Sequence, residues 1–300
     1  MAAPAKASKN YNLQFIQGVA GDQFYITMQC GIQAEAAKLG VSVKTQGPQK
    51  FDPTLQKPIL DSVVAAKPDA ILIAPTDVTA MQAPLKQAAA AGIKIVLVDT
   101  TVEDPSIAVS AIASDNEGGG KAAFDAIKQL NPKGGKVLAI STDPGVSTVD
   151  LRVKGFEEAA KADPSFQYLG VQYSHNDPAT AANLMGSALQ KDPDIVGVFA
   201  TNLFSAEGTA TGIRQSGKQE QVKVVGFDAG PDQIKQLQAG DVQALVAQKP
   251  YDIGFQGVEQ AANALTGKSV TASINTESLI VTKDNLNQPD VNKYIYKDKC

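Results

Sequence analysis

The sequence predicts a two-lobed α/β protein built from mainly parallel sheets. Its 300 residues exceed what one hydrophobic core usually organises, since most domains contain about 100–200 residues. Short apolar segments of strand length alternate with helical segments, which is typical of parallel sheets covered by helices on both faces. The second half of the chain also repeats the pattern of the first. We therefore expect two lobes of similar architecture.

The first half contains four predicted strands, which are residues 13–19, 41–45, 70–74 and 93–98. The helix after the first strand has apolar residues at four-residue spacing and is predicted to end at Gly40. The next helix is predicted to begin at Asp52-Pro53, because aspartate caps a helix and proline is favoured in its first turn.

The second half has four further predicted strands, which are residues 136–140, 166–171, 196–200 and 222–227. Predicted helices separate them near residues 151–161, 179–190 and 206–215. The order of strand and helix is the same as in the first half, and this predicts a second parallel sheet.

Two pairs of segments support an internal repeat. Residues 69–77 resemble residues 194–202, and residues 94–99 resemble residues 223–228. Each segment of the second pair ends in an aspartate, Asp99 or Asp228, directly after a strand. Because ligands bind outside the carboxyl ends of parallel strands, both aspartates are candidate ligand contacts. The alternative for either one alone is an ordinary cap or turn residue.

The composition excludes several classes of partner. Hydrophobic residues make up 43% and charged residues 19%, as in an ordinary globular protein. The net charge is −4 and the lysines are scattered, so we expect no nucleic-acid partner. No apolar run approaches the roughly 20 residues that a membrane-spanning helix needs, so we expect a soluble mature chain.

The first ten residues are polar and rich in Ala, Pro and Ser, which is typical of a tether that follows a cleaved export signal. This pattern predicts a periplasmic or extracellular protein, with lipid anchoring through a removed signal as an option. A cytosolic protein is the alternative interpretation.

The two cysteines, Cys30 and Cys300, lack the spacing of a zinc site. They are either unrelated thiols or a single disulfide in an oxidising compartment. The chain continues from about residue 287 to Cys300 beyond the last predicted strand, and such a tail frays unless it is held. We therefore predict a Cys30–Cys300 disulfide, with Val291, Tyr294 and Tyr296 packed along the surface.

Seven segments appear in an order that resembles the ribose-type periplasmic binding proteins of ABC importers. They are residues 23–25, 74–77, 98–99, 112–116, 152–156, 225–228 and 247–248. The resemblance covers about residues 10–285 and implies two Rossmann-like lobes, the type I periplasmic binding protein fold, joined by a three-strand hinge. It places one lobe at residues 1–114 plus 249–278 and the other at 115–248 plus 279–300, with crossings near Ser114, Gln248 and Ser278.

The same resemblance implies a set of sugar contacts. Thr100, at a position where the family commonly has arginine, is added to this set. The predicted ligand-binding residues are Asp22, Phe24, Tyr25, Asp99, Thr100, Asn116, Arg152, Asn176, Asn202, Asp228 and Gln248. These side chains suit a polyol, because carboxylates accept from hydroxyl groups, arginine donates in a fixed fork, and aromatic rings cover C–H faces.

Some of these residues have other interpretations. One of the two aromatic residues, Phe24 or Tyr25, fits the core face of an amphipathic helix equally well. Arg152 could be a surface residue, although its expected place at a helix start beside Gly155 favours the site. Asn176 stands where the family usually has an aromatic residue, and Leu203 replaces an acidic one. These losses of charge and stacking surface favour an acyclic sugar alcohol over ribose.

No pattern predicts catalysis, a metal site or a cofactor. His175 lies outside any HExxH motif, and no GxSxG motif is present. Residues 118–121 resemble a phosphate-binding loop, but Ala122 replaces the required Ser or Thr, so we interpret the segment as a helix start near the hinge.

Three functions are therefore compared. The favoured one is an importer's solute-binding protein, expected to be a monomer that closes on a monosaccharide or polyol and is then recognised by a membrane permease. The alternatives are the effector domain of a LacI-like repressor and a sugar-modifying enzyme. The repressor would need a DNA-binding segment of about 50 residues before the first strand, where about ten are present.

Overall fold

A computed structural model describes residues 10–300, and the predicted N-terminal tether falls mostly outside them, at residues 1–9. The described strands, in chain order, are β1 Asn12–Ile16, β2 Ser42–Gln46, β3 Ala70–Ile73, β4 Lys94–Val98, β5 Ser110–Ser114, β6 Gly135–Ser141, β7 Phe166–Tyr173, β8 Ile195–Ala200, β9 Lys223–Phe227, β10 Ala244–Ala247, β11 Ser273–Thr276 and β12 Leu279–Val281. The described α-helices are α1 Gln23–Leu39, α2 Pro53–Ala65, α3 Gln82–Ala90, α4 Asn116–Leu130, α5 Ser147–Ala162, α6 Pro178–Lys191, α7 Leu203–Gln215, α8 Pro231–Ala239 and α9 Pro250–Leu265.

The chain forms two compact units. The first comprises the chain up to Ser114, Lys249–Thr276 and Lys297–Cys300, and the second comprises Asp115–Gln248 and Glu277–Tyr296. The first unit contains a six-stranded parallel sheet in the order β11-β5-β4-β3-β1-β2. The second contains a sheet in the order β12-β10-β9-β8-β6-β7, which is parallel except for the edge strand β12.

The eight strands that the apolar pattern predicts are present, with ends that differ by a few residues from the expected ones. The apolar pattern does not predict β5, β10, β11 and β12, although the resemblance implies crossover strands near Ser114, Gln248 and Ser278. They are short, and their sequences are partly polar or lie at the crossings between units, so periodicity alone does not mark them.

The helix ends follow from local chemistry. Asp22, Asp52 and Asp177 each cap a helix by accepting a backbone N–H with the side chain, which satisfies one of the donors left free in the first turn. Gly40 ends α1 with φ of 71°, a left-handed conformation that glycine adopts at little cost.

Each unit has its own apolar core beneath its sheet. In the first, Ile71, Ile73, Leu97 and Leu85 are fully buried, so α3 packs on β3 and β4. In the second, Phe124, Phe156, Phe166 and Phe199 form a chain of ring contacts with centroids 5.0–5.8 Å apart. These rings join α4 and α5 to β7 and β8.

The glycine run at 118–120 serves helix packing. A Cβ atom at Gly120 would lie 2.0 Å from the carbonyl oxygen of Arg152 in α5, and one at Gly119 would lie 2.7 Å from the ring of Phe227. Only glycine permits these approaches, so the run, which begins inside α4, brings α4 against α5 and β9.

The C-terminal tail differs from its predicted course. The chain passes between the units four times rather than three, because Lys297–Cys300 belongs to the first unit and not, as expected, to the second. Cys300 is joined to Cys30 of α1 by a disulfide, and the backbone N–H of Lys297 donates to Thr27 Oγ1 at 2.7 Å. The crossing expected near Ser278 lies between Thr276 and Glu277.

Within residues 10–300, no helix has both the length and the hydropathy needed to cross a lipid bilayer.

Candidate functional site

Asp99 and Asp228 have the same unusual backbone conformation in their separate units. Each directly follows a parallel strand, β4 or β9, and has a positive φ of 67° or 79°. Their N–H groups donate to the next strand in the sheet, to Ile112 O at 2.8 Å and Val246 O at 2.9 Å. Left-handed conformations are costly outside glycine and persist where surrounding bonds enforce them, often at functional sites. The repeat found in the sequence is therefore also a repeat of backbone geometry.

In the first unit, Asp99 is linked to the start of α1. The Tyr25 hydroxyl donates to Asp99 Oδ2 at 2.8 Å, and both side chains are buried. Thr100, the next residue, donates its hydroxyl to Pro75 O at 2.7 Å. Thr100 therefore buttresses the loop after β3, and its side chain supplies no positive charge there.

Asp22 and Phe24 complete the predicted set in the first unit. Asp22 accepts the backbone N–H of Phe24 at 2.8 Å and is thus a helix cap. The ring of Phe24 meets that of Tyr25 edge-on, with centroids 5.2 Å apart. Both rings are buried, and the Tyr25 hydroxyl links the helix to Asp99.

In the second unit, Asp228 is the centre of a dense hydrogen-bond network. Its Oδ2 accepts the backbone N–H of Leu203 at 2.8 Å, at the start of α7. Its Oδ1 accepts from Gln248 Nε2 at 2.6 Å and from the Tyr296 hydroxyl at 2.8 Å. The carboxylate is 4% exposed, so these three donors replace most of its hydration.

Arg152 and Asn116 form a second part of the same cluster. Arg152 Nε donates to Asn116 Oδ1 at 2.9 Å, and its Nη1 donates to Thr201 O at 2.8 Å. The guanidinium carbon lies 3.7 Å from the centroid of the Phe227 ring, within the range of a cation–π contact. Phe227 is the last residue of β9 and directly precedes Asp228. The contact therefore places the guanidinium of Arg152 near the end of β9 that carries Asp228.

Asn176 and Asn202 also come together. Asn202 Nδ2 donates to Asn176 Oδ1 at 2.6 Å, while Asn202 Oδ1 caps α7 by accepting the N–H of Ser205. His175 instead points to solvent with a side chain that is 71% exposed, and its Nδ1 lies 2.5 Å from Asp143 Oδ1. The two asparagines are therefore hydrogen-bonded to each other, whereas the neighbouring His175 is not part of this cluster.

Two expectations about this cluster need correction. Arg152 does not begin a helix: α5 starts at Ser147, and Arg152 lies in its second turn, where it is 3% exposed. Tyr296 was expected only to pack along the surface; it is 3% exposed, and its hydroxyl also donates to Asp228. The signal that could have found it is the position of a tyrosine four residues before a cysteine predicted to be tethered.

No group of three or more His, Cys, Asp or Glu side chains with a metal-binding arrangement occurs among residues 10–300. The clusters instead consist of acidic, amide, hydroxyl and guanidinium groups at the carboxyl ends of strands. Such groups accept from and donate to the hydroxyls of a neutral polar molecule.

Comparisons with known proteins agree with this chemistry. Residues 13–269 match the family model described as a periplasmic binding protein domain. The ribose import binding protein of Escherichia coli is 32% identical over 279 residues, which cover 93% of each chain.

Two solved structures have closely similar folds. An ABC transporter solute-binding protein from Agrobacterium vitis, bound with α-D-tagatopyranose, is 39% identical with a TM-score of 0.94, covering 96% of this chain and all of that one. A carbohydrate transporter solute-binding protein from Agrobacterium radiobacter, in complex with D-arabinose, is 30% identical with a TM-score of 0.91, again covering 96% of this chain and all of that one.

Proposed function

Because the chain belongs to the periplasmic binding protein family, we propose that it is the solute-binding component of an ABC importer and that it binds a monosaccharide. The observation that carries this proposal is the repeated strand-end aspartate, Asp99 in one unit and Asp228 in the other, each with a polar cluster around it. We propose that both clusters contribute to binding the sugar.

The chemistry of the clusters supports a neutral polyhydroxylated ligand. Carboxylates accept from sugar hydroxyls, Arg152 donates, and Asn116, Asn176 and Asn202 carry groups that do both. Asp99, Asp228, Arg152 and Asn116 are buried, and hydrogen bonds from these groups to a sugar are strengthened where water is excluded. A site of this kind orients the sugar and requires no reacting group.

The relatives narrow the class of ligand. Their names and titles give ribose, tagatose and arabinose, all pentoses or hexoses. Thr100, Asn176 and Leu203 depart from the ribose-type pattern, so we propose a monosaccharide other than ribose. A sugar alcohol is the alternative that the same departures favour.

The proposed cellular role follows from the family. We propose a periplasmic location and delivery of the sugar to a membrane permease, with lipid anchoring of the mature chain as a further element. We propose that the sugar stabilises a closed state of the protein through movement at the hinge.

A sugar panel tests the function. Isothermal titration calorimetry should detect binding of D-tagatose, D-arabinose, D-ribose, ribitol or galactitol, and NMR of the recovered sugar should show it chemically unchanged. The double variant Asp99→Ala/Asp228→Ala, checked for folding by circular dichroism, is the control that should bind none of them. Absence of binding to the wild type across the panel, or conversion of the sugar, would contradict the proposal.

Small-angle scattering tests the closure. The radius of gyration of the wild type should fall when the tightest-binding sugar is added, and the double variant should show no change. An unchanged radius in the sugar-bound wild type would show that binding occurs without closure.

A further inference from the structure

The C-terminal tail places a tyrosine against the acidic centre of the second unit. The hydroxyl of Tyr296 donates to Asp228 Oδ1 at 2.8 Å, and its backbone N–H donates to Ala229 O at 3.0 Å. Tyr296 is 3% exposed. The tail therefore contributes a buried hydrogen-bond donor to a residue of the proposed sugar site.

The bond limits what Asp228 can offer a sugar. A carboxylate has about four acceptor positions, two on each oxygen. Among residues 10–300, Gln248 and Tyr296 occupy the two on Oδ1, and Leu203 occupies one on Oδ2. One position on Oδ2 is left, so Asp228 is set to accept a single sugar hydroxyl from one direction.

The Tyr296 hydroxyl is a permanent donor. Burial, together with the neighbouring charge of Asp228, raises the pKa of this hydroxyl well above 10. The proton therefore stays on the tyrosine at physiological pH, and its bond fixes the rotation of the carboxylate.

Two anchors hold the tail on either side of Tyr296. Before it, Val291 and Tyr294 are buried in the second unit, with exposed fractions of 1% and 6%. After it, Lys297 N–H bonds to Thr27 Oγ1, and Cys300 is joined to Cys30. The disulfide is the covalent anchor, four residues beyond the tyrosine.

We propose that Tyr296 is a positioning residue of the sugar site, which orients the Asp228 carboxylate, and that the Cys30–Cys300 disulfide keeps it in place. Sugar affinity then depends on the oxidation state of this disulfide. The proposal rests on the sugar-binding function proposed above and adds a residue and a redox dependence to it.

The first experiment removes the hydroxyl alone. Tyr296→Phe should weaken binding of D-tagatose, or of the panel sugar that binds the wild type most tightly, by about three- to tenfold, because Asp228 loses one of three orienting donors. The matched control is Tyr168→Phe, since the Tyr168 hydroxyl is buried in the same unit and has no hydrogen-bond partner among the described residues. It should leave the dissociation constant unchanged.

The second experiment opens the disulfide. Cys30→Ser/Cys300→Ser should weaken binding of the same sugar by about three- to tenfold, as Tyr296→Phe does. Combined with Tyr296→Phe, it should weaken binding little further, because both changes remove the same bond to Asp228. A fully additive loss would overturn the link between disulfide and tyrosine.

The outcomes separate this inference from the proposed function. If the wild type binds a panel sugar while Tyr296→Phe binds it equally well, the positioning role is wrong and the sugar-binding function stands. If the serine variant melts at a lower temperature but binds with unchanged affinity, the disulfide is only structural and the redox dependence is overturned. Absence of binding by the wild type contradicts the function itself.

Discussion

The two units each orient a strand-end aspartate with a tyrosine, but the tyrosines come from different parts of the chain. Asp99 and Asp228 follow equivalent strands, share a left-handed backbone and each accept a tyrosine hydroxyl at 2.8 Å. The donor to Asp99 is Tyr25, in the first turn of α1. The donor to Asp228 is Tyr296, which comes from the C-terminal tail. The backbone of the site is thus repeated, whereas the tyrosine that orients each carboxylate is supplied independently.

This difference has a physical consequence. A residue in the first turn of a helix is held by the helix and its packing, while a residue in a tail is held only as firmly as the tail is anchored. The first acidic residue should therefore keep its orientation under conditions that release the tail, and the second should not. The predictions below test this contrast, beginning with the largest expected effect.

Removal of the carboxylates should have the largest effect. Asp228→Ala and Asp99→Ala should each weaken sugar binding by about ten- to more than a hundredfold, because a hydrogen bond to a charged group contributes about 1.5–3 kcal/mol. Asp228→Ala should reduce the sugar affinity more than Asp99→Ala does. It also leaves the donors of Leu203, Gln248 and Tyr296 without their acceptor. Calorimetry with the tightest-binding panel sugar measures both losses.

Thermal denaturation completes this comparison. We expect Asp228→Ala to lower the melting temperature as well as the affinity, because unsatisfied buried donors destabilise the folded state. Tight binding by both variants would show that the sugar lies elsewhere in the protein, even though the family assignment holds.

The arginine of the second unit should have the next largest effect. Arg152→Lys should weaken sugar binding by about tenfold or more, because lysine cannot donate to Asn116 and Thr201 in the same fork or stack on Phe227. His175→Ala is the control, since the His175 ring is exposed and, among residues 10–300, its polar contact is with Asp143. The prediction fails if the lysine variant binds as tightly as the control.

Substitution of Tyr25, the tyrosine of the first unit, should have a smaller effect on sugar affinity and tests the difference between the two units. Tyr25→Phe should weaken binding by about three- to tenfold, through loss of one donor to Asp99. Opening the disulfide in this variant should reduce affinity further by the full factor seen in the wild type, because it acts on Asp228 instead. Calorimetry on the oxidised and serine-substituted forms distinguishes this additive result from a shared effect.

Much of the fold could be predicted from the sequence because its signals are local. Apolar runs marked eight strands, and Gly40 and Asp52 marked helix ends through their own backbone preferences. The start of α5 was placed four residues late, since Ser147 and its neighbours give no side-chain cap. Short polar edge strands such as β11 gave no periodic signal.

The site was harder to predict, because its geometry depends on contacts distant in sequence. The repeated aspartates could be found, since both follow similar strands. The bond between Tyr296 and Asp228 spans 68 residues, and the tethered cysteine four residues after Tyr296 indicates that the tail is held but not that its tyrosine reaches Asp228. Asp22 was predicted as a sugar contact, and the structure shows its carboxylate capping α1, a role that was not predicted from the sequence.

Glu207, in the second unit, provides a test of pH-dependent stability. Its pKa is raised from 4.5 to about 7, mainly by burial and further by the charges of Asp232 and Asp228. The folded state therefore binds this proton more tightly than the unfolded chain does. The resulting stabilisation is complete below about pH 4.5 and is lost as the pH rises through about 7.

Glu207→Gln should remove this pH dependence. At pH 8 the variant should be more stable than the wild type by about 1–2 kcal/mol, a figure reduced from the full shift because the side chain is only partly buried. Near pH 4.5 the difference in stability should be much smaller, since Glu207 is then protonated in the folded wild type and about half protonated when unfolded. Urea unfolding at both pH values measures the difference, with the exposed Glu220→Gln as the control for net charge. An equal gain at both pH values would mean that the substitution acts through packing, and the sugar affinity should change in neither case.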